Sequence, residues 1–353
     1  MTVASDLLAS AAGRTERIDA FGRRLKAIGL GWTVPFIKLA AGEERGDQLK
    51  IIGRQMVLPL VGIVIFAGLW AVLAPRVDTS LGAVPGPVAV WGQAIVLVQE
   101  HQAERERATA FYAREAARNA ELVASGKADE VKQREYTGRP TYLDQIVTSL
   151  KTVALGFLIA TLIAVPLGIA CGLSPTVNAA FNPLIQIFKP VSPLAWLPIV
   201  TMVVSALYIN VSDAVPKSLV ISAITVALCS LWPTLVNTAL GVASIDRDLI
   251  NVGRVLRLST TRKITKLVLP SALPLIFTGL RISLGVGWMV LIAAEMLSQN
   301  PGLGKFVWDE FQNGSSDSLA RIMVAVLTIG LIGFFLDRVM YVLQAAFTYS
   351  AER

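Results

Sequence analysis

Six apolar stretches, near residues 56–74, 146–173, 183–209, 218–243, 272–297 and 320–346, constrain this chain more than anything else in it. Crossing a bilayer takes about 20 predominantly apolar residues. Inside the hydrocarbon every backbone N–H and C=O must be bonded within the protein, so runs of this length predict helices. Hydrophobic residues make up 54% of the chain and charged residues 16%, against roughly 45–50% and about 25% in soluble domains. The expectation is an all-α polytopic membrane protein of about six transmembrane helices.

Charge placement orients those helices. Residues 1–54 carry nine Lys and Arg against six acids, and 244–270 carry six against two, whereas 298–319 carry one against three. Positive charge is retained on the cytosolic side, so the first two segments and both termini read as cytosolic and the third as external. The chain then divides into a basic N-terminal extension (1–54), a first span followed by external chain (55–145), and a core (146–350) that encloses the cytosolic loop 244–270. The net charge of +7 belongs to this topology; the basic residues sit beside apolar runs and form no basic face interleaved with aromatics, so no nucleic-acid partner is expected.

Several chemistries are absent from the residues themselves. There is one histidine, His101, and there are two cysteines, Cys171 and Cys229, both inside apolar runs. That leaves no metal site and no histidine-based triad. No GxxxxGK[ST] segment occurs, so nothing here cradles nucleotide phosphates in the P-loop manner.

The N-terminal extension lacks the layout of a signal peptide, because Arg14, Arg17, Arg23, Arg24 and Lys26 are not followed directly by an apolar core and a cleavage site. Leu30 to Ala41 is too short to span; it reads either as an interfacial segment lying against lipid or as part of a solvated tail. Beyond the first span, Pro85, Gly86 and Pro87 turn the chain. Residues 99–140 form an insertion whose Ala-, Glu- and Arg-rich part, with opposite charges three apart at Glu104 and Arg107 and at Glu115 and Arg118, predicts one exposed helix ending near Gly126. It reads as a solvated insertion or disordered arm, with a docking surface for an external partner as the alternative.

The second span carries Gly156, Ala160, Ala164, Gly168 and Gly172 at every fourth position. Such a stripe lets a second helix backbone approach closely. From Asn182 to Pro198 four prolines, Pro183, Pro190, Pro193 and Pro198, predict that no continuous helix persists. Irregular backbone at membrane depth is tolerated where it lines a wet cavity, which makes Pro193, Trp196 and Pro198 pathway candidates; an interfacial elbow is the other reading. In 249–270, Leu249, Ile250, Val252, Val255 and Leu256 recur at helical spacing, Ser259, Thr260 and Thr261 interrupt, and Ile264, Leu267, Val268 and Leu269 begin a second helical pattern expected to stop at Pro270.

That segment resembles the cytoplasmic loop by which ABC-importer permeases grip their ATPase, a family pattern of Glu-Ala-Ala, three residues, Gly, nine residues and Ile-x-Leu-Pro. Counted back from Leu269-Pro270, Asn251 stands at the Glu position, Val252 and Gly253 at the Ala positions and Arg257 at the Gly position. Further on, Thr278-Gly279-Leu280-Arg281, Ala293-Ala294-Glu295-Met296, Pro301-Gly302-Leu303-Gly304 and Val307-Trp308-Asp309-Glu310-Phe311 resemble the permeases for nitrate, bicarbonate, cyanate, sulfonate and taurine, most closely the nitrate branch. Pro193 to Pro198 and Val84 to Pro87 fit the same family, which covers about residues 80–345.

The resemblance implies a type I ABC-importer permease fold in the bacterial cytoplasmic membrane, working as a homodimer. It also implies a partnership with ABC ATPase subunits, which hold the ATP and Mg²⁺, and with an external solute-binding protein. Asn251, Gly253, Arg257, Leu258, Ser259 and Pro270 become the coupling-loop residues. The missing acid at Asn251 and the missing glycine at Arg257 bear on which ATPase groove the loop fits. An ion-coupled carrier would instead show paired broken helices, and one proline-broken segment has no counterpart here.

Ionisable groups within spans cost about 2.5–3.5 kcal/mol on insertion scales, so each needs a partner or a task. Arg281 and Asp337 fall at similar depth in the inner halves of the last two runs and are expected to pair as a structural unit; the rival reading has Arg281 face the pathway and attract an anion. Glu295, near the outer end of its run, is expected to be tied to backbone or to a neighbouring helix.

Overall fold

The computed structural model describes residues 21–22, 31–42, 45–79, 82–207 and 216–351. Arg14, Arg17, Arg23, Arg24 and Lys26 lie outside them. Within the expected interfacial segment, α1 (Val34–Ala40) is a short helix with Pro35 in its first turn and Phe36 exposed. The spanning elements are α2 (Gly46–Arg76), α4 (Tyr142–Leu173), α7 (Lys217–Ala243), α9 (Thr260–Ser298) and α11 (Ser318–Ala351), together with the bent pair α5 (Pro175–Phe188) and α6 (Pro193–Leu207). Counting that pair as one span gives six crossings.

The pair bears out the expectation that no continuous helix persists through 182–198. The chain breaks once, between Phe188 and Pro193, and the two helices meet at 103°. Pro183 and Pro198 sit inside helices, because an internal proline forfeits a single ladder bond, while Ser192 and Pro193 supply the cap and first-turn proline that start a new helix. Ser192 Oγ accepts from the Leu194 N–H at 3.3 Å.

Pro270 does not end a helix either. Residues Ile264–Val268 form a π turn in which the Leu269 N–H bonds to the Ile264 carbonyl, and the helix continues through the proline to Ser298. The ladder changes register where Pro270 has no N–H to give. The same device precedes Pro59, where the Leu58 N–H bonds to the Gly53 carbonyl.

At the centre lies α7. The stripe on α4 packs against it: a Cβ placed on Gly156 would stand 2.7 Å from the Ala223 carbonyl oxygen, and one on Gly168 would stand 2.6 Å from Thr238 Cβ and 2.8 Å from the Leu235 carbonyl oxygen. Ala160 and Ala164 are buried in the same seam. On the opposite side α9 closes in through Gly279, where a Cβ would meet Thr234 Cα at 2.9 Å, and Ser283 accepts from the Thr234 hydroxyl at 2.7 Å. α11 packs outside α9, with Trp288 Nε1 donating to the Ile329 carbonyl at 2.9 Å. By contrast α2 buries none of its apolar window and is fastened by Trp70 Nε1 to the Pro85 carbonyl.

After α2 a short hairpin, β1 (Asp78–Thr79) with β2 (Gly82–Ala83), leads into α3 (Pro87–Ala124). The helix starts twelve residues before the insertion at 99, because a proline at the first helical position initiates a helix as readily as it interrupts one. It ends in a Schellman arrangement, Gly126 N–H to Val123 O and Lys127 N–H to Leu122 O, with Gly126 at φ +75°. The following chain folds back along the helix: Asn119 bonds the Lys132 carbonyl, and the Tyr136 hydroxyl donates to Glu104 at 2.8 Å. That carboxylate holds the Tyr136 phenol above its ordinary pKa. The insertion is thus a helix with a return strap laid along it.

The α4–α7 seam yields a test. Gly168→Leu overfills it and is expected to cost about 1–3 kcal/mol or more, lowering the thermal midpoint of the detergent-solubilised protein by several degrees or abolishing folded yield. Gly62→Leu, at a site with no heavy atom within 4 Å of a new Cβ, should melt like wild type. Equal midpoints for the two variants would contradict this packing.

Candidate functional site

The loop between α7 and α9 is built by end-capping. Asp246 accepts from the Asp248 N–H at 2.9 Å and starts α8 (Arg247–Val255). That helix ends with Arg257 N–H on the Arg254 carbonyl and Leu258 N–H on the Gly253 carbonyl at 3.1 Å. This is a Schellman motif, and its left-handed residue is Arg257 at φ +47°. Ser259 then caps the first turn of α9, accepting from the Arg262 N–H. Helix, turn and helix are therefore joined by four residues, Leu256, Arg257, Leu258 and Ser259.

The left-handed conformation falls at the frame position where the resembling loops have glycine. Glycine occupies it without steric cost; an L-residue does not. Gly253 faces the start of α9, where a Cβ would lie 2.6 Å from Leu267 Cδ1, so α8 rests directly on that helix. Leu249 and Ile250 pack onto a cluster of Val242, Ile245, Val268, Ala272 and Ile276. The other face of the loop is uncovered and apolar: Val252, Val255 and Leu256 are 50%, 82% and 64% exposed. Asn251 accepts from Arg254 Nη1 at 3.1 Å on the same surface.

Pro193, Trp196 and Pro198 lie on α6 just beyond the bend. The Trp196 ring packs 5.6 Å from Phe188, which stacks on Trp232 of α7 at 6.3 Å. Both indole N–H groups are buried without a hydrogen-bond partner among the described residues.

Arg281 is not part of this elbow. Its guanidinium forms a two-bond pair with Asp337 of α11, through Nε and through Nη2, the latter at 2.7 Å, and lies 5.7 Å from the Tyr341 ring centre. Glu295 is fully buried at the C-terminal end of α9, where it accepts from Ser149 Oγ of α4 at 2.8 Å and from the Gly304 N–H at 3.1 Å. Sequence reasoning named the carboxylate but none of its partners. They sit 146 and 9 positions away, and the one local signal was Gly302, where any Cβ would collide with the Glu295 carboxylate.

Two outcomes follow from this geometry. Arg257→Gly relieves a left-handed arginine, worth about 1 kcal/mol, and should slow amide exchange at Leu258 roughly fivefold; unchanged or faster exchange would contradict the turn. Asp337→Asn strands Arg281 and should reduce membrane-assembled protein, with Arg281→Leu/Asp337→Leu recovering it on size-exclusion profiles. Normal assembly of Asp337→Asn would remove the structural role of the pair.

Comparison with known proteins converges on one family. A family model described as binding-protein-dependent transport system inner membrane component matches residues 164–349. The bicarbonate transport system permease protein CmpB of Synechococcus elongatus is 35% identical over 290 residues, 82% of this chain and 88% of that protein. The nitrate import permease protein NrtB of the same organism is 38% identical over 196 residues, 56% of this chain and 66% of its own. The taurine transport system permease protein TauC of Escherichia coli is 32% identical over 208 residues, 59% and 70% respectively. With its six crossings and its capped loop before the fifth, the chain belongs to the binding-protein-dependent inner membrane components, the multi-pass permeases of ABC importers.

Proposed function

We propose that this chain is the membrane subunit of an ATP-driven importer for a small inorganic anion, with nitrate or nitrite as the first candidate, acting as a homodimer by alternating access. The observation that carries the reading is the uncovered apolar face of the loop, Val252, Val255 and Leu256, on a helix seated against the first turns of α9. Exposed aliphatic side chains at a cytosolic membrane surface fit a hydrophobic groove on a partner. In this reading the partner is an ABC ATPase subunit that holds the ATP and Mg²⁺. The chain makes and breaks no bonds; it offers two conformations whose balance the partner's nucleotide shifts.

An external solute-binding protein would deliver the anion. The face available to it includes an open cleft of about 520 Å³ between α3, the start of α4 and α10 (Leu303–Asn313), lined by Glu104, Arg107, Arg139, Lys305, Asp309 and Arg321. Likeness does not rank nitrate above bicarbonate: a nitrate import permease is 38% identical over 196 residues, and two bicarbonate permeases are 35% identical over 290 residues and 40% over 201. Bicarbonate is the second reading, and cyanate, a sulfonate or taurine lie within the same machinery.

The test is uptake into proteoliposomes that contain the permease with its ATPase subunits and receive the binding protein outside. Nitrate accumulation that needs internal ATP and resists excess bicarbonate is the expected result. ATP-dependent uptake of bicarbonate in place of nitrate would select the second reading. Accumulation by the permease alone on an ion gradient would overturn both.

A further inference from the structure

The carboxylate of Glu295 caps a helix that is not its own. α10 opens at Leu303 after Gly302, a residue with no side chain to offer its first N–H groups. Those groups are met from elsewhere: the Leu303 N–H donates to Ser149 Oγ at 2.8 Å and the Gly304 N–H to Glu295 at 3.1 Å. These are two of the N–H groups that a helix start leaves without an intrahelical partner. The fit leaves no spare room. A Cβ on Gly302 would collide with the Glu295 carboxylate, and one on Gly304 would collide with the Ile292 carbonyl.

The connection spreads to three spans. Ser149 and Thr152 bring in α4, since Asn300 Nδ2 donates to Thr152 Oγ1 at 3.1 Å. Ser218 donates to Asn300 Oδ1, and Ser222 meets Ser298 at 2.7 Å, which brings in α7. The other end of α9 is the coupling loop. Helix α9 runs for 39 residues from Thr260 to Ser298 without a break, about 58 Å at 1.5 Å per residue.

We propose that Glu295 is a positioning residue that makes external helix α10 and cytosolic loop α8 move as one body through α9. A partner bound on the outer side of α10 is then reported to the loop, and displacement of the loop reorients α10. The inference rests on the importer reading and adds to it the residue through which the outer partner is sensed. A carboxylate held by neutral donors suits this role, because the link is made of hydrogen bonds whose loss frees the start of α10 while Leu303 and Phe306 keep that helix in the core and α9 and the loop stay in place.

The experiment is ATP hydrolysis by the complete importer in nanodiscs, with and without its binding protein, loaded with nitrate and separately with bicarbonate. Glu295→Ala should keep basal hydrolysis within twofold of wild type and lose at least fivefold of the stimulation by loaded binding protein. Glu295→Gln keeps an oxygen for the Gly304 N–H and should retain at least half of that stimulation. If Glu295→Ala does not assemble, Gly302→Ala, which leaves the acid but displaces it from the α10 end, carries the same expectation. Wild-type stimulation in the alanine variants, or basal and stimulated rates falling together in every variant, would overturn the proposal. A wild-type chain that recruits no ATPase would overturn the importer reading, and this inference with it.

Discussion

Backbone-to-backbone approach around α7 is the constraint on which the rest of the molecule depends. Lipid is as apolar as leucine, so spans gain little from hiding apolar side chains from one another, and what joins them is close packing and the polar contacts that closeness allows. Gly156, Gly168 and Gly172 on one side and Gly279 on the other permit it. The gap they leave is filled by Val226, Leu235, Thr238 and Val242 from α7. With α7 held between α4 and α9, the loop that joins α7 to α9 is short, capped at both helix ends and seated on Leu267. The outer ends of the same three helices meet in a buried polar cluster around Glu295 and Asn300. The core is thus pinned at both membrane faces.

Little outside that core is pinned in the same way. The apolar window of α2 has no buried residue and touches the rest of the described chain through Trp70, and Arg281 and Asp337 neutralise one another on a face where each stays more than a third exposed. Such surfaces suit lipid or a second copy, and the charge pair makes either tolerable by removing the net charge of two costly groups. The loop combines a rigid frame with an apolar outer face. Arg257 accepts a strained conformation there, so the turn carries an extra cation beside the surface offered to a partner.

Much of this was legible in the residues because it follows from periodicity. Apolar runs of bilayer length located the spans, the every-fourth small residues of α4 marked its seam, and Ser259 announced a helix start. An error came where one backbone bond decides the outcome. Pro270 reads as a stop, yet a π turn shifts the ladder so that its missing N–H breaks nothing. Four prolines in 182–198 did mark a break, though Pro183 and Pro198 sit within helices and the chain bends at a single point. The return strap after Gly126 depends on Tyr136 and Gly138 meeting Glu104, a contact across more than thirty residues with no periodic signature. Glu295 was visible as an intramembrane acid; Ser149, Thr152 and Asn300 carry no periodic signal and meet only in the fold.

The central claim is that the α8 loop is the handle by which a separate ATPase drives this chain. Its most direct measurement is co-purification in mild detergent of wild type beside the double variant Gly253→Glu/Arg257→Glu, with the elution volume of the permease as the check on folding. The account predicts that an ATPase subunit accompanies wild type and is lost from a variant that elutes unchanged. An ATPase retained by the folded variant would contradict the assignment of the handle, and none with wild type would contradict the account as a whole.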